Sequence, residues 1–320
     1  MTAPDRVIVK VPASTANLGP GFDTLGMALE LYAYIEMSRA EVTQIELYGN
    51  EMQGIPTDKR NLIYKVAQIV FDDAGVSVPE LHISMYSDIP LTRGLGSSAS
   101  AIVGGMVAAN ALIGNILSKE RIFTLATELE RHPDNVGASL YGGIIVATWD
   151  GETARHIRLE PHADLTTLVA IPEFQLATEK ARHVLPASIT MGDAVFNVSH
   201  SSLLVAAFAS GEFEMIRHTM KDRMHQPYRA SLIPGMTEIL EKATDNGALG
   251  VALSGAGPTL IALVDRKHEK EIQLEQFLLE TLKHEQITAT TMRLAPCTEG
   301  AVVLQATQGQ SFMDVIKGEM

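Results

Sequence analysis

The stretch "PLTRGLGSSAS", residues 90 to 100, constrains this chain more than any other, because it sets two glycines and three serines between a strand-like run and a long run of small residues. Gly94 and Gly96 open backbone conformations closed to other residues, and Ser97 and Ser98 stand where a helix would begin. Unpaired N–H groups at such a start, with the positive end of the helix dipole, make an anion site. A phosphate chain is its natural ligand. The small residues that follow, "SASAIVGGMVAANA", let the helix pack closely behind the loop.

Three phosphate-loop readings compete with the plain one, a Gly-Ser turn capping a core helix. A Walker A loop requires a lysine that is missing here. Gly94-x-Gly96-x-x-Ala99 meets the loose dinucleotide pattern, but the acidic strand end about 20 residues on is replaced by "LSKERIF", the start of a helix. The third reading is a kinase loop in which backbone amides and serine hydroxyls take the place of the lysine and Mg2+ supplies positive charge. Two more glycine-rich segments, "PASTANLGPGFDTLG" and "LSGAGPTLIALV", each follow a strand. They point to one shared polar pocket.

With 320 residues, 46% apolar and 20% charged, the chain reads as a soluble globular protein of two domains. Its formal charge of −13, with no basic run, argues against a nucleic-acid partner. The single cysteine, Cys297, excludes an internal disulfide and a cysteine metal site and fits a reducing cytosol. The opening "MTAPDRVIVKVPAS" lacks the apolar core of a signal peptide, and the apolar run from Ala101 to Leu117 is broken by Asn110, Asn115 and glycines, so no membrane span is expected. A cytoplasmic protein is expected.

Strand patterns lie at Arg6 to Val11, Leu29 to Met37, Gln44 to Tyr48, Leu81 to Ser87 and Gly142 to Trp149. Helical periodicity covers Asn61 to Ala74, and Ser118 caps a helix reaching Arg131. The turn Asp150-Gly151 suggests a first domain of residues 1–155 and a second of 156–320. The second half reads as a strand at Thr167 to Ile171, helices at Gly192 to Ser210 and Met236 to Asn246, strands flanking "SGAGP", a charged helix from Glu269 to Lys283, and two closing strands. The class is α+β.

The three glycine-rich segments together resemble the three motifs of the GHMP kinase superfamily, and "PASTANLGPGFDTLG", "HPDNV", "TEKARHVLP" and "DRMHQPYR" most resemble its homoserine kinase family. The resemblance spans most of the chain. It implies an N-terminal ribosomal protein S5 domain 2-like domain and a C-terminal ferredoxin-like domain, with the active site between them. It also implies ATP as phosphoryl donor, L-homoserine as acceptor, Mg2+, and a homodimer.

On this resemblance the nucleotide loop comprises Pro90, Leu91, Thr92, Arg93, Gly94, Leu95, Gly96, Ser97, Ser98, Ala99 and Ser100, with Asn61 and Leu62 beside the adenine. Ser98 and Glu128 would hold Mg2+, with Glu130 the alternative, since two residues apart on a helix they cannot easily serve one ion. Arg182 and Arg229 would bind the acceptor carboxylate, where a guanidinium fork suits the planar group, and Asp23 the ammonium. Asn17, His132, Asp134, Asn135, Thr178, Ser254 and Gly255 complete the acceptor pocket. Asp134, Asn135 and Arg182 are the catalytic candidates, Asp134 as either general base or substrate anchor, and His132 is either a substrate contact or a turn residue.

Arg131 stands where the family usually has Gly, Gly137-Ala138 where Ala-Pro is common, and Ser100 replaces an Ala. Other readings stay open: a GHMP kinase acting on another small alcohol such as mevalonate, which lacks an ammonium and would not need Asp23; a non-catalytic nucleotide-binding member; and a dinucleotide oxidoreductase.

Overall fold

Apolar residues alternate or run continuously through the strand segments and recur at helical spacing between them, and the computed structural model follows both periods. It describes residues 4–267, 270–305, 307 and 309–319. In chain order the strands are β1 (Arg6–Ala16), β2 (Leu25–Arg39), β3 (Gln44–Tyr48), β4 (Leu81–Ser87), β5 (Ile144–Trp149), β6 (Ala154–Leu159), β7 (Leu165–Pro172), β8 (Gly250–Leu253), β9 (Leu260–Asp265), β10 (Ala289–Leu294) and β11 (Val302–Leu304). The helices are α1 (Leu62–Asp73), α2 (Ser97–Leu112), α3 (Lys119–Glu130), α4 (Asp134–Tyr141), α5 (Thr178–His183), α6 (Met191–Ser210), α7 (Phe213–Thr219), α8 (Gln226–Arg229), α9 (Met236–Lys242), α10 (Glu271–His284) and α11 (Phe312–Glu319). Glu269, the expected start of the charged helix, lies outside the described residues, as do residues 1–3.

The first sheet runs β11-β1-β2-β4-β3, with β5 pairing β2 and β6. Its inner face, with Val9, Val11, Ile35 and Met37, packs against α1 to α4 through Ile63, Val66, Val103 and Phe123. Gly104 and Gly105 explain how α2 lies so close: a Cβ at Gly104 would stand 2.3 Å from Ile35, and one at Gly105 2.6 Å from Val66. The second sheet, β10-β7-β9-β8, is fully antiparallel and has the strand order of a ferredoxin-like domain. Its residues alternate between two cores. Leu168, Ala170, Val251 and Leu260 meet α9 and α10, while Val169, Ile171, Ala252 and Ile261 meet Leu25, Met27 and Leu29 of the first sheet together with α6 and α7.

Two parts of the expected domain division shift. Position 155 falls inside the β5–β6 hairpin, which belongs to the first sheet through Leu159, so the second domain's own strand begins at Leu165. The closing strands also part company: β10 pairs β7, but β11 returns to β1, and α11 buries Phe312, Val315 and Ile316 against Ile8 and Tyr34. The C-terminal tail is therefore a layer of the N-terminal domain. No helix among the described residues is long and apolar enough to cross a membrane.

Ile316 is fully buried in this small cluster and Lys317 beside it is exposed. Ile316→Ala is expected to cost about 2–4 kcal/mol of stability in denaturant unfolding, and Lys317→Ala less than about 0.5 kcal/mol. Equal effects would contradict the placement of the tail.

Candidate active site

The three glycine-rich segments follow β1, β4 and β8 and are laced together by hydrogen bonds. The Ser14 N–H donates to the Leu95 carbonyl at 3.2 Å and the Gly255 N–H to the Ala16 carbonyl at 3.2 Å. Asn17 Nδ2 donates to the Gly255 carbonyl at 3.0 Å, and the Ser254 hydroxyl to the Gly94 carbonyl at 2.5 Å. Glycine is obligatory at the crossing points. A Cβ on Gly94 would stand 2.3 Å from the Ser254 carbonyl oxygen and one on Gly96 2.0 Å from Ser14 Oγ, and both residues have positive φ, 82° and 71°.

Gly96 is the N-cap of α2 and supplies no side-chain cap. The first-turn N–H groups of Ser97, Ser98 and Ala99 therefore face the cleft that these residues line, at the positive end of a 16-residue helix. On the far side of the same cleft stand Asn17, Asp23, His132, Asp134, Asn135, Thr178, Arg182, Arg229 and Gly255. A second, apolar cleft adjoins it and shares Ser97; its walls include Met52, Ile55, Ile63, Met85, Leu91 and Ala101. The phosphate-type loop thus lies where an apolar slot meets a polar one.

Charge in the polar cleft is arranged in pairs. Asp23, held in a left-handed turn (φ 53°) with its N–H bonded to Asn17 Oδ1, receives both Arg182 guanidinium nitrogens at 3.0 and 2.7 Å. Arg229 is buried, donates to the Ala181 and Gly255 carbonyls, and stands 5.3 Å over the Phe22 ring, with Arg182 at 5.5 Å. Burial, with the neighbouring Arg182 charge, pushes Arg229 down to about 10, which leaves it a cation at neutral pH. His225 locks this corner by donating Nε2–H to the Gly19 carbonyl at 2.8 Å while stacking on Phe22. Asp222 caps the start of α8 by accepting from the N–H groups of Met224, His225 and Gln226.

Asp134 Oδ1 is occupied by His132 Nδ1 at 2.6 Å and its neighbour's N–H at 2.7 Å, and no hydrogen bond to Oδ2 occurs among the described residues. Burial disfavours a charged His132, but Asp134, with Asp23 and Glu130, overcomes it and raises the imidazole to about 9. Asp23, His132 and Asp134 crowd together in the cleft as a network of opposite charges. Asn135 accepts from the Ser14 hydroxyl at 3.0 Å, which Ser139 in turn contacts.

Several expected residues stand elsewhere. Glu128 is exposed, whereas Glu130 lines the cleft and accepts from the Ser98 hydroxyl at 2.5 Å. The face of α3 decides this: Glu130 follows Phe123 and Ala126 by seven and four residues and shares their buried side, while Glu128 points away. Ser254 is fully buried and spends its hydroxyl on Gly94 and Thr15 instead of lining the cleft. Asn61 is fully buried too, its amide capping α1 and bonding the Pro56 carbonyl, and Leu62 lines neither cleft, so the apolar slot is walled by Ile63 instead. Within the loop, Pro90 and Leu95 are buried and Arg93 donates to the Glu173 carbonyl, so none of these three lines either cleft. Ser100 lines the apolar slot, its hydroxyl donating to the Ser97 carbonyl. Phe22, Asp222 and His225 were not expected; the run "DRMHQPYR" contains two of them, but only contact with the Gly19 turn reveals their part.

The two hard oxygens of Ser98 and Glu130, side by side at the anion-binding helix start, fit the donor preference of Mg2+. Burial pushes the Cys297 thiol up, as expected for an inert residue.

The GHMP kinases N terminal domain family matches residues 61–143 and the GHMP kinases C terminal family residues 204–280. The fold is that of a GHMP kinase. The chain is 44% identical over 300 residues to homoserine kinase of Desulfitobacterium hafniense, covering 93% of this chain and 100% of that one. It is 40% identical over 307 residues to homoserine kinase of Deinococcus radiodurans, covering 96% and 100%. The crystal structure of homoserine kinase from Cytophaga hutchinsonii superposes with a TM-score of 0.84 at 27% identity, over 95% of this chain and 99% of that one. The chain belongs to the homoserine kinase family. A mevalonate kinase structure, TM-score 0.63 at 18% identity over 91% of this chain and 99% of that one, shares the fold alone.

The His132 imidazole, raised from 6.5 to about 9, contributes stability that is fully present below its unfolded value and lost as pH rises through the folded one. The stability difference between wild type and His132→Gln should therefore be larger at pH 6 than at pH 10, by up to about 3 kcal/mol. A difference independent of pH in urea unfolding would contradict the ion pair.

Proposed function

We propose that this protein transfers the terminal phosphoryl group of ATP to the side-chain hydroxyl of L-homoserine. The observation that carries the reading is the union, in one cleft, of an uncapped helix start suited to phosphate and an Asp23–Arg182–Arg229 cluster suited to a zwitterionic amino acid. A mevalonate-type acceptor has no ammonium to satisfy Asp23.

We assign the base of ATP to the apolar slot, with its phosphates across the N–H groups of Ser97, Ser98 and Ala99 at the adjoining helix start. Ser98 and Glu130 would hold Mg2+, which when bound neutralises phosphate charge. The amino acid enters by opening the Asp23–Arg182 pair: its ammonium takes Asp23, and its carboxylate takes Arg182 and Arg229. Both charges of the ligand thus replace an existing partner, and neither side chain is left unpaired. The Oδ2 of Asp134 accepts the hydrogen bond of the acceptor hydroxyl, while His132 fixes Oδ1 and Asn135 is steadied by Ser14. Positioning and charge stabilisation carry the transfer, as phosphoryl chemistry demands.

ADP release from Mg-ATP, measured with L-homoserine, mevalonate, galactose and no acceptor, should depend on homoserine alone; release with mevalonate instead would overturn the acceptor assignment. Glu130→Gln should weaken the apparent Mg2+ affinity at least tenfold while Glu128→Gln leaves it unchanged, and the reverse ranking would return the ion to Glu128. Arg182→Ala should raise KM for homoserine about a hundredfold and KM for ATP less than about threefold, since a bidentate guanidinium–carboxylate contact is worth a few kcal/mol.

A further inference from the structure

Arg229 lines the cleft from a buried position, and the fold has already spent three of its five N–H groups. Nε donates to the Ala181 carbonyl at 3.1 Å, and Nη1 donates to the Gly255 carbonyl at 3.0 Å and to His225 Nδ1 at 3.3 Å. Nη2 makes no hydrogen bond among the described residues. Arg229 therefore meets a ligand with Nη2 alone, in contrast to Arg182, whose two terminal nitrogens grip Asp23 together. The aim of Nη2 is set by what holds the other two nitrogens. Two of those holders are main-chain carbonyls, and the one side chain among them is His225.

The His225 ring has one tautomer open to it. A guanidinium cannot accept a hydrogen bond, so Nδ1 is the acceptor of the Arg229 contact and carries no proton. The proton stands on Nε2, which donates to the Gly19 carbonyl. Asp222 Oδ2 lies 3.6 Å from Nε2, beyond hydrogen-bond reach, and both Asp222 oxygens are already taken. Oδ1 accepts from Asn197 Nδ2 and the Met224 N–H, and Oδ2 from the N–H groups of His225 and Gln226. Burial, aided by the Arg229 charge, outweighs Asp222 and pushes the imidazole below its ordinary value, so it is neutral at physiological pH. His225 opens α8 and Arg229 follows four residues later, one turn on, which brings the two side chains to the same side of the helix over Phe22.

We propose that His225 is a positioning residue for the acceptor carboxylate: its bare Nδ1 holds Arg229 Nη1 and so aims Nη2 at the ligand. This rests on the reading of the acceptor as an amino acid. His225 itself does not line the cleft, so it acts only through Arg229. A neutral ring suits the task better than a carboxylate would, because it fixes the guanidinium without neutralising the charge that the ligand needs.

Two amide variants separate the two ends of the ring. The amide of Asn reaches the place of Nδ1 and that of Gln the place of Nε2, so His225→Asn keeps an acceptor for Arg229 while His225→Gln keeps only the tie to Gly19. His225→Gln should raise KM for L-homoserine about tenfold, with kcat and KM for ATP within about threefold of wild type, and His225→Asn should recover most of that loss. With 2-amino-1,4-butanediol, which has no carboxylate, kcat/KM of His225→Gln should stay within about threefold of wild type. The reverse ranking of the two variants, or an equal loss with both acceptors, would overturn the proposal and leave His225 a structural tie to Gly19. The assigned nitrogen-15 signals of His225 in the folded wild type read the tautomer without any variant: a bare Nδ1 beside a protonated Nε2 is expected, and a protonated Nδ1 would overturn the proposal. A wild type that releases no ADP with homoserine would overturn the acceptor reading, and the proposal with it.

Discussion

The contact at Gly94 is the constraint on which the site depends. Its main chain lies so close to Ser254 that no side chain could stand there, and the Ser254 hydroxyl closes the gap by donating to the Gly94 carbonyl. That single crossing joins the loop of the first domain, with its anion-binding helix start, to the loop of the second, whose Gly255 carbonyl receives Asn17 and Arg229. The helix start and the polar side of the cleft are therefore fixed relative to each other by backbone packing. Pre-set distance between two reactants is what a phosphoryl-transfer site chiefly needs.

Around this crossing the cleft stores charge in neutral pairs. Arg182 rests on Asp23 and His132 on Asp134, while the buried Arg229 is held by the Ala181 and Gly255 carbonyls. A zwitterion is the ligand that can trade places with such a pair at little electrostatic cost. Phe22 adds a flat floor under both guanidinium groups, and His225 ties that floor to the Gly19 turn.

Much of this was legible in the residues, and the failures have physical causes. Strands β3 and β4 and helix α1 read directly from their apolar periods, and the three glycine-rich segments pointed to a shared pocket that the fold assembles. The early part of β2 was missed because Gly26 interrupts its pattern; glycine is required there since a Cβ would meet the Asp134 carbonyl at 2.2 Å. Strand β11 and helix α11 rejoin the first sheet across nearly the whole chain, a pairing no local period reveals. Glu130 was recoverable from its phase relative to Phe123 and Ala126, whereas the burial of Asn61 and Ser254 was not, because a polar residue in a motif reads the same whether it meets a ligand or holds a loop.

The central claim, that the acceptor is held as a zwitterion by Asp23 on one side and Arg182 with Arg229 on the other, is tested most directly by kcat/KM for three alcohols of equal reach. These are L-homoserine, 4-hydroxybutyrate, which lacks the ammonium, and 2-amino-1,4-butanediol, which lacks the carboxylate. The account predicts a loss of at least about a hundredfold for each analogue, since each leaves one buried or paired charge without its partner. A 4-hydroxybutyrate as good as homoserine would contradict it.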